Sequence, residues 1–308
     1  MYADVYGQTL FSLCLIKIWV MHTANKYFLM RSKKRRLWKD FVMKNIIILL
    51  TIFSFAACQS NSSNQSSTSD STDIELKGAY SMTKQIGNDG TKDTLLKKEQ
   101  LKIYSDRYMM WASPRATDSF GEYGIATYSK EAGKVMEYVF YTSTAGEVKD
   151  TAQLEIAKLP NGYKQVIRYV DSSSTFVLTE EYDKVGKEPS TKLDGAWKLT
   201  GDIFIDGKGD TITNHRKTQF KVYQSGYFIW ANPKDPASNN FYSAYGYGTY
   251  KMLNDTTSQE TNINSTFYSL LVGKPVEIQI DFIGTDKYQQ TISSGAEGRS
   301  VEIYERLK

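Results

Sequence analysis

The chain has 308 residues, enough for about two domains of ordinary size. Its formal charge of +4 belongs to one end: nine of the 38 Lys and Arg and two of the 34 Asp and Glu precede residue 59, which leaves the remainder with 29 basic and 32 acidic residues, interspersed. That distribution lacks the basic stripe a nucleic-acid partner requires. Two cysteines (Cys14 and Cys58) and two histidines (His22 and His215) leave the folded part without a Cys/His set for zinc or haem, so neither metal nor cofactor is expected.

Residues 1–42 hold an apolar stretch, Leu10 to Met21, and a basic run, Lys33 to Arg36. The simplest account is an over-extended start upstream of Met43. A long n-region or an extra membrane segment is the alternative, and the segment is left out of the fold reasoning. Residues 43–57 read as a signal peptide: Lys44 is a short positive n-region, Ile46 to Phe55 is almost unbroken apolar chain, and Ala56-Ala57 supplies small residues before Cys58. The run is too short for a membrane span. Phe55-Ala56-Ala57-Cys58 resembles the bacterial lipobox. The resemblance implies a diacylglycerol on Cys58, cleavage before it, and stable membrane anchoring by several acyl chains. The alternative is an ordinary secretory signal with a chance cysteine. Residues 58–73 continue as a Ser/Asn/Thr-rich segment with no large apolar residue, the composition of a flexible tether. Gln59, rather than Asp, follows the cysteine, and no dense acidic run comes after it. This resembles lipoproteins sent on to the outer membrane, so a periplasm-facing location there is expected.

The remainder repeats itself. Leu76-Lys-Gly78-Ala-Tyr80 matches Leu193-Asp-Gly195-Ala-Trp197; Leu101 to Ala112 matches Phe220 to Ala231; Tyr123 to Tyr128 matches Tyr245 to Tyr250; Glu180-Glu-Tyr182 matches Glu302-Ile-Tyr304. The offsets are 117, 119, 122 and 122 residues, so the second copy gains only short insertions. This divides the chain into repeats over 74–186 and 187–308, with the linker near Gly186 to Thr191. Aromatics reach 13%, with 22 Tyr against 6 Pro, which favours strands. Val276, Ile278, Ile280 and Phe282 alternate with Glu277, Gln279 and Asp281, the pattern of a strand with one buried and one wet face. Turn signals recur at Asn88-Asp-Gly90, Asn161-Gly162, Asp206-Gly207, Ser225-Gly226 and Ser294-Gly295. One short helix is expected, Thr266 to Val272. About eight short strands per copy can close on themselves and lose their edges, so the expected fold is all-β, two tandem up-and-down antiparallel barrels, with a sandwich as the alternative.

Leu193-x-Gly195-x-Trp197 on a first strand, with Arg306 on a last, resembles the lipocalin signature. Copy one carries it as Gly78-x-Tyr80 with Lys184. Copy two also resembles a lipocalin-like family of Bacteroidetes secreted or lipid-anchored proteins. The shared features are Gly226-Tyr-Phe-Ile-Trp230, Gly246-Tyr-Gly248-Thr-Tyr250, Glu260, Leu271-Val-Gly-Lys274 and Glu302-Ile-Tyr-Glu-Arg306. The resemblance implies an eight-stranded barrel that can hold a ligand cavity, with the Gly-x-Trp tryptophan at the closed end and a basic residue packed on it. It implies no reaction.

Gly78, Tyr80, Lys184, Gly195, Trp197 and Arg306 are therefore expected to close the barrels. Tyr108, Trp111 and Tyr128, with their mates Tyr227, Trp230 and Tyr250, are candidates to line a cavity, or else simply to fill a small barrel. Glu137 and Glu260 recur on the fifth strand of each copy. One turned inward could anchor a ligand's polar group and would need a partner or a raised pKa; the alternative is an outward, solvated carboxylate. His215 stands in a loop without a counterpart and is expected to face solvent. No nucleophile elbow, phosphate loop, dinucleotide fingerprint or HExxH motif is present, and no catalysis is expected. The reading is a membrane-anchored, non-catalytic protein that binds a small apolar or amphipathic molecule. The alternative is a filled-barrel protein that docks on an envelope partner.

Overall fold

The computed structural model describes residues 74–114, 122–131, 134–170, 174–213, 218–233, 244–266 and 269–308. Cys58, the tether and His215 lie outside them. All the described residues belong to one compact unit. Repeat one consists of β1 (Gly78–Asn88), β2 (Asp93–Leu96), β3 (Leu101–Tyr104), β4 (Tyr108–Ser113), β5 (Glu122–Glu131), β6 (Lys134–Thr142), β7 (Gly146–Leu159), β8 (Gly162–Val170) and β9 (Thr175–Lys184). Repeat two consists of β10 (Gly195–Asp206), β11 (Thr211–Thr213), β12 (Phe220–Gln224), β13 (Tyr227–Asn232), β14 (Ala244–Asn254), β15 (Thr257–Ser265), β16 (Pro275–Phe282), β17 (Lys287–Ser293) and β18 (Gly298–Arg306).

Each sheet runs in sequence order and closes through β1–β9 or β10–β18. The first strand pairs with β3 along one half and β2 along the other, so these two short strands form one interrupted stave. The same holds for β11 and β12 on β10. The result is two closed antiparallel eight-stave barrels in tandem. A register shift between Met82 and Lys84, matched by one between Leu199 and Gly201, bends the first strand of each barrel at the same place. Where a helix was expected, the described residues contain a single 3-10 turn, Ser269–Leu271, ended by Gly273 at φ 76°. The β16 alternation holds, with Ile278 and Ile280 buried and Gln279 and Asp281 exposed.

The closed end of barrel two is built on Trp197. Its indole N–H donates to the Leu193 carbonyl at 2.7 Å, and the Arg306 guanidinium lies 4.0 Å from its ring centroid. The same guanidinium donates to the carbonyls of Asp194 at 2.9 Å, Lys192 at 3.3 Å and Thr285 at 3.3 Å. It ties the first strand, the last strand and a hairpin loop together. Gly195 makes room for it: φ is 129°, and a Cβ there would stand 2.1 Å from Arg306 Nη1. Barrel one holds a lighter version. Lys184 Nζ lies 5.9 Å from the Tyr80 ring and donates to the Lys77 carbonyl at 3.2 Å, and the Tyr80 hydroxyl donates to the Glu75 carbonyl at 3.2 Å.

One apolar cluster lies between the barrels. It pairs equivalent positions: Ala79 with Ala196, Leu101 with Phe220, Ile103 with Val222, Met110 with Ile229, Ala112 with Ala231, Tyr123 with Tyr245 and Ile125 with Tyr247. Each barrel offers the same patch, as in an isologous dimer. The Tyr123 hydroxyl donates to the Asn232 carbonyl at 3.0 Å, and Phe140 meets Phe220 edge-on at 5.8 Å. Leu101, Ile103, Phe220 and Val222 therefore lie on the outsides of their barrels and are nevertheless buried, each such side chain contributing roughly 1.5–3 kcal/mol.

Substituting Gly195→Ala is expected to lower unfolding stability by about 2 kcal/mol or more, since the methyl meets both the guanidinium and a backbone region closed to side chains. Urea denaturation checks this. A change below about 0.5 kcal/mol would mean that Arg306 is not held over Trp197.

Candidate functional site

With the apolar faces of β3, β4 and β5 turned toward the other barrel, the alternate residues of these strands point inward. Lys102 and Tyr104 on β3 meet Glu137 on β6: Lys102 Nζ is 2.7 Å from Glu137 Oε1, and the Tyr104 hydroxyl donates to the same oxygen at 2.5 Å. Lys102 Nζ also donates to Gln165 Oε1 at 3.2 Å. A second carboxylate, Glu180 on β9, accepts from Gln165 Nε2 at 2.5 Å, Gln85 Nε2 at 2.6 Å and the Tyr182 hydroxyl at 2.9 Å. All are buried.

Barrel two repeats the arrangement. Lys221 Nζ lies 2.8 and 3.1 Å from the two Glu260 oxygens, and the Tyr223 hydroxyl donates to Glu260 Oε1 at 2.5 Å. Glu302 accepts from Gln290 Nε2 at 2.5 Å and the Tyr304 hydroxyl at 2.8 Å. Burial pushes Tyr104 and Tyr223 well above the ordinary phenol range, and the Glu137 and Glu260 carboxylates push further in the same direction. These phenols stay protonated and serve as hydrogen-bond donors to the carboxylates. An ammonium, a carboxylate and a phenol that satisfy one another make a rigid polar plug across the waist of each barrel.

The sequence-derived candidates divide into two groups. Glu137 and Glu260 point inward and are the hubs of the plugs. Tyr128 and Tyr250 also point inward, their rings edge-on to Tyr104 at 5.0 Å and Tyr223 at 4.8 Å. Their hydroxyls are taken by the chain itself: Tyr128 donates to the Ser105 carbonyl at 2.7 Å, and Tyr250 donates to the Asp194 carboxylate. Trp111 and Trp230 face the interior, each lying flat over a glycine. A Cβ on Gly124 or Gly246 would stand 2.5 Å from the indole nitrogen. Tyr108 and Tyr227 are outside the interior. The Tyr108 hydroxyl donates to the Lys308 carbonyl at 2.6 Å, and both rings pack against the inter-barrel cluster. Sequence reasoning passed over Lys102, Lys221, Tyr104 and Tyr223. The signal was present: a lysine and a tyrosine kept in register between apolar residues in both copies.

The other end of barrel one is its mouth. Leu96, Tyr169 and Phe176 occupy inward strand positions in register with Gln85, Gln165 and Glu180, yet are 37%, 52% and 38% exposed. The Tyr169 and Phe176 rings lie 6.3 Å apart. Gly87 leaves the space for Phe176, since a Cβ there would stand 2.8 Å from its Cζ. Barrel two reverses this pair, with Phe204 at the place of Gly87 and Gly298 at the place of Phe176. Burial, then the Glu180 carboxylate, raises the Tyr169 pKa. Among the described residues, no group of three or more His, Cys, Asp or Glu could hold a metal ion.

No protein-family model matches the chain, and no curated protein matches it. An uncharacterized protein from Saccharomyces cerevisiae is similar over 76% of this chain and 99% of its own, at 8% identity and a TM-score of 0.44. A candidate outer membrane protein from Bacteroides fragilis is similar over 75% of this chain and 98% of its own, at 7% identity and a TM-score of 0.23. At these values neither likeness carries a function across.

Replacing Glu260 by Ala strands the Lys221 ammonium inside barrel two and is expected to cost about 3–5 kcal/mol, whereas Lys221→Met with Glu260→Leu recovers most of that loss. Chemical denaturation of the three proteins checks it. A cost under about 1 kcal/mol for Glu260→Ala would mean that the pair behaves as a solvated one.

Proposed function

We propose that the chain is an envelope-tethered, non-catalytic protein that binds a small amphipathic molecule in the mouth of barrel one. The observation that carries this is the set of inward apolar side chains left exposed there, Leu96, Tyr169 and Phe176, above a floor of hydrogen-bonding groups. Concave sites of this make-up, apolar walls with a few fixed polar groups, suit small ligands. An apolar body would lie against the rings, and a polar head would reach toward Gln85 and Glu180. The plug below sets the depth, so the ligand enters only the outer half of the barrel. The tether rests on the lipobox-like Phe55 to Cys58, and a periplasm-facing outer-membrane location rests on Gln59. The Glu137 and Glu260 carboxylates are each held by an ammonium and a phenol rather than left free, which supports a binding role over catalysis.

A second reading is favoured by those same plugs: two filled barrels, held rigid, that dock on an envelope partner.

Native mass spectrometry of protein purified under mild conditions separates the two. A co-purified lipid-sized mass that falls away in Tyr169→Ala/Phe176→Ala, and persists in Trp230→Ala, is expected. A clean apo mass after incubation with a lipid extract would sink ligand binding and leave the docking reading. The tether is checked by metabolic labelling with a fatty acid: incorporation is expected in the parent chain and none in Cys58→Ser.

A further inference from the structure

The two barrels open on the same side. At one end of the junction the Tyr123 hydroxyl reaches the Asn232 carbonyl, and both residues lie at the mouth ends of their strands, β5 and β13. At the other end the Tyr108 hydroxyl, at the start of β4, reaches the carbonyl of Lys308, just past β18. Mouth therefore lies beside mouth, and closed end beside closed end. Among the described residues, ten of the thirteen exposed large apolar side chains fall in the mouth halves of the barrels; Tyr138, Leu253 and Ile283 lie elsewhere.

Most of the ten gather in two lips. In barrel one, Tyr169, Val170 and Phe176 stand at the tip of the β8–β9 hairpin, and Leu96 joins Phe176 where both border Gly87. Val170 belongs to the last pair of that hairpin and is 73% exposed. In barrel two, Leu270, Leu271 and Val272 stand in the loop between β15 and β16, with Leu270 83% exposed. A bridge between Asn262 and Val272, and a hydrogen bond from the Gly273 N–H to the Asn262 carbonyl at 2.8 Å, fold this loop back on β15 beside the exposed Ile263. The equivalent turn of the other copy is small and polar in each case: Ser143-Thr-Ala145 links β6 to β7, and Ser294-Gly-Ala-Glu297 links β17 to β18. Each barrel thus raises one apolar lip, on a hairpin that takes no part in the apolar junction.

Two separate apolar tips suit a fluid surface better than a shaped one. A protein partner needs one continuous complementary patch. A bilayer accepts each tip where it lands, with an affinity that follows the apolar area taken from water. Tyr169 brings to its lip the apolar ring and polar tip of an interfacial side chain. The neighbouring turns carry both signs of charge, Asp89, Lys92 and Asp93 on one barrel and Asp206, Lys208 and Asp210 on the other, with no cationic excess to favour an anionic surface.

We propose that the mouth face docks on a bilayer of net-neutral phospholipid, with Val170 and Leu270 to Val272 entering its acyl boundary. Fifteen residues separate Cys58 from Ile74 and extend to about 50 Å. The eleven-residue β1 spans roughly 36 Å. An anchor on Cys58 and the two mouths can therefore share one membrane, and barrel one then opens onto a source of amphipathic molecules. These last two points rest on the tether and ligand readings; the docking does not.

Spin-label accessibility tests it. Cys14→Ser and Cys58→Ser remove the native thiols, and with them the anchor, so Val170→Cys, Leu270→Cys or Ile283→Cys gives a single label at an exposed position of the full chain. With phosphatidylcholine vesicles, labels replacing Val170 and Leu270 are expected to gain accessibility to oxygen and lose it to a nickel chelate, at about 0.1 M and about 1 M salt alike. A label replacing Ile283, at the closed end, is expected to stay aqueous. Labels replacing Val170 and Leu270 that stay aqueous overturn the docking, and so does insertion of all three. Labels that become immobile without vesicles assign the face to a second copy of the chain and overturn the bilayer. Insertion that needs anionic lipid and vanishes at high salt overturns the apolar contact. Tyr169→Ala/Phe176→Ala, which tests the ligand, is expected to leave the label replacing Leu270 inserted, so failure of the ligand reading and failure of the docking are read separately.

Discussion

The ammonium of Lys102, held 2.7 Å from the carboxylate of Glu137 inside a closed barrel, constrains everything around it. A charge pair taken out of water is tolerable only if its remaining hydrogen bonds are also met. Tyr104 and Gln165 meet them here, and Tyr223 plays the same part for Lys221 and Glu260. The inner faces of the central strands are thereby committed to polar groups. Their apolar residues must find burial on the outside, and they find it only because a second barrel offers the same surface in return. Interior chemistry and tandem architecture are one solution.

That linkage explains why β3 and β12 are buried along their whole length. A strand with a single wet face would show alternation in burial as well as in chemistry. These strands alternate in chemistry alone, because both faces are covered, one by the plug and one by the neighbouring repeat. The equivalence of the seven residue pairs across the junction gives it the character of a homodimer contact preserved within one chain.

The architecture was legible from the sequence because its signals are local or repeated. Gly195-x-Trp197 with Arg306 marks closure through a glycine that both its positive φ and the approach of the guanidinium require, and the offsets between copies mark the two units. The interior was harder to read for a physical reason. In Leu101-Lys-Ile-Tyr104 alternation says that the lysine and the two aliphatics lie on opposite faces, but not which face is inside; that depends on a partner, Glu137, 33 residues beyond Tyr104. The exchange of Tyr108 and Tyr227 from cavity candidates to junction residues has the same origin. In the span expected to be helical, the described Leu270, Leu271 and Val272 are all at least 37% exposed, so these three residues bury little to stabilise a longer helix.

The reversed glycine and phenylalanine at the two mouths bear on how a duplicated chain avoids folding against itself. Each repeat's last strand could in principle close the other repeat's barrel, the usual hazard of tandem copies. Were β9 and β18 exchanged, Phe176 would arrive beside Phe204 and overfill one mouth, while Gly298 beside Gly87 would leave the other hollow. The native pairing places one phenylalanine of this pair at each mouth. A single compensated swap between copies thus marks each closing strand as belonging to its own first strand, and biases the chain toward correct assembly without any contact between the repeats.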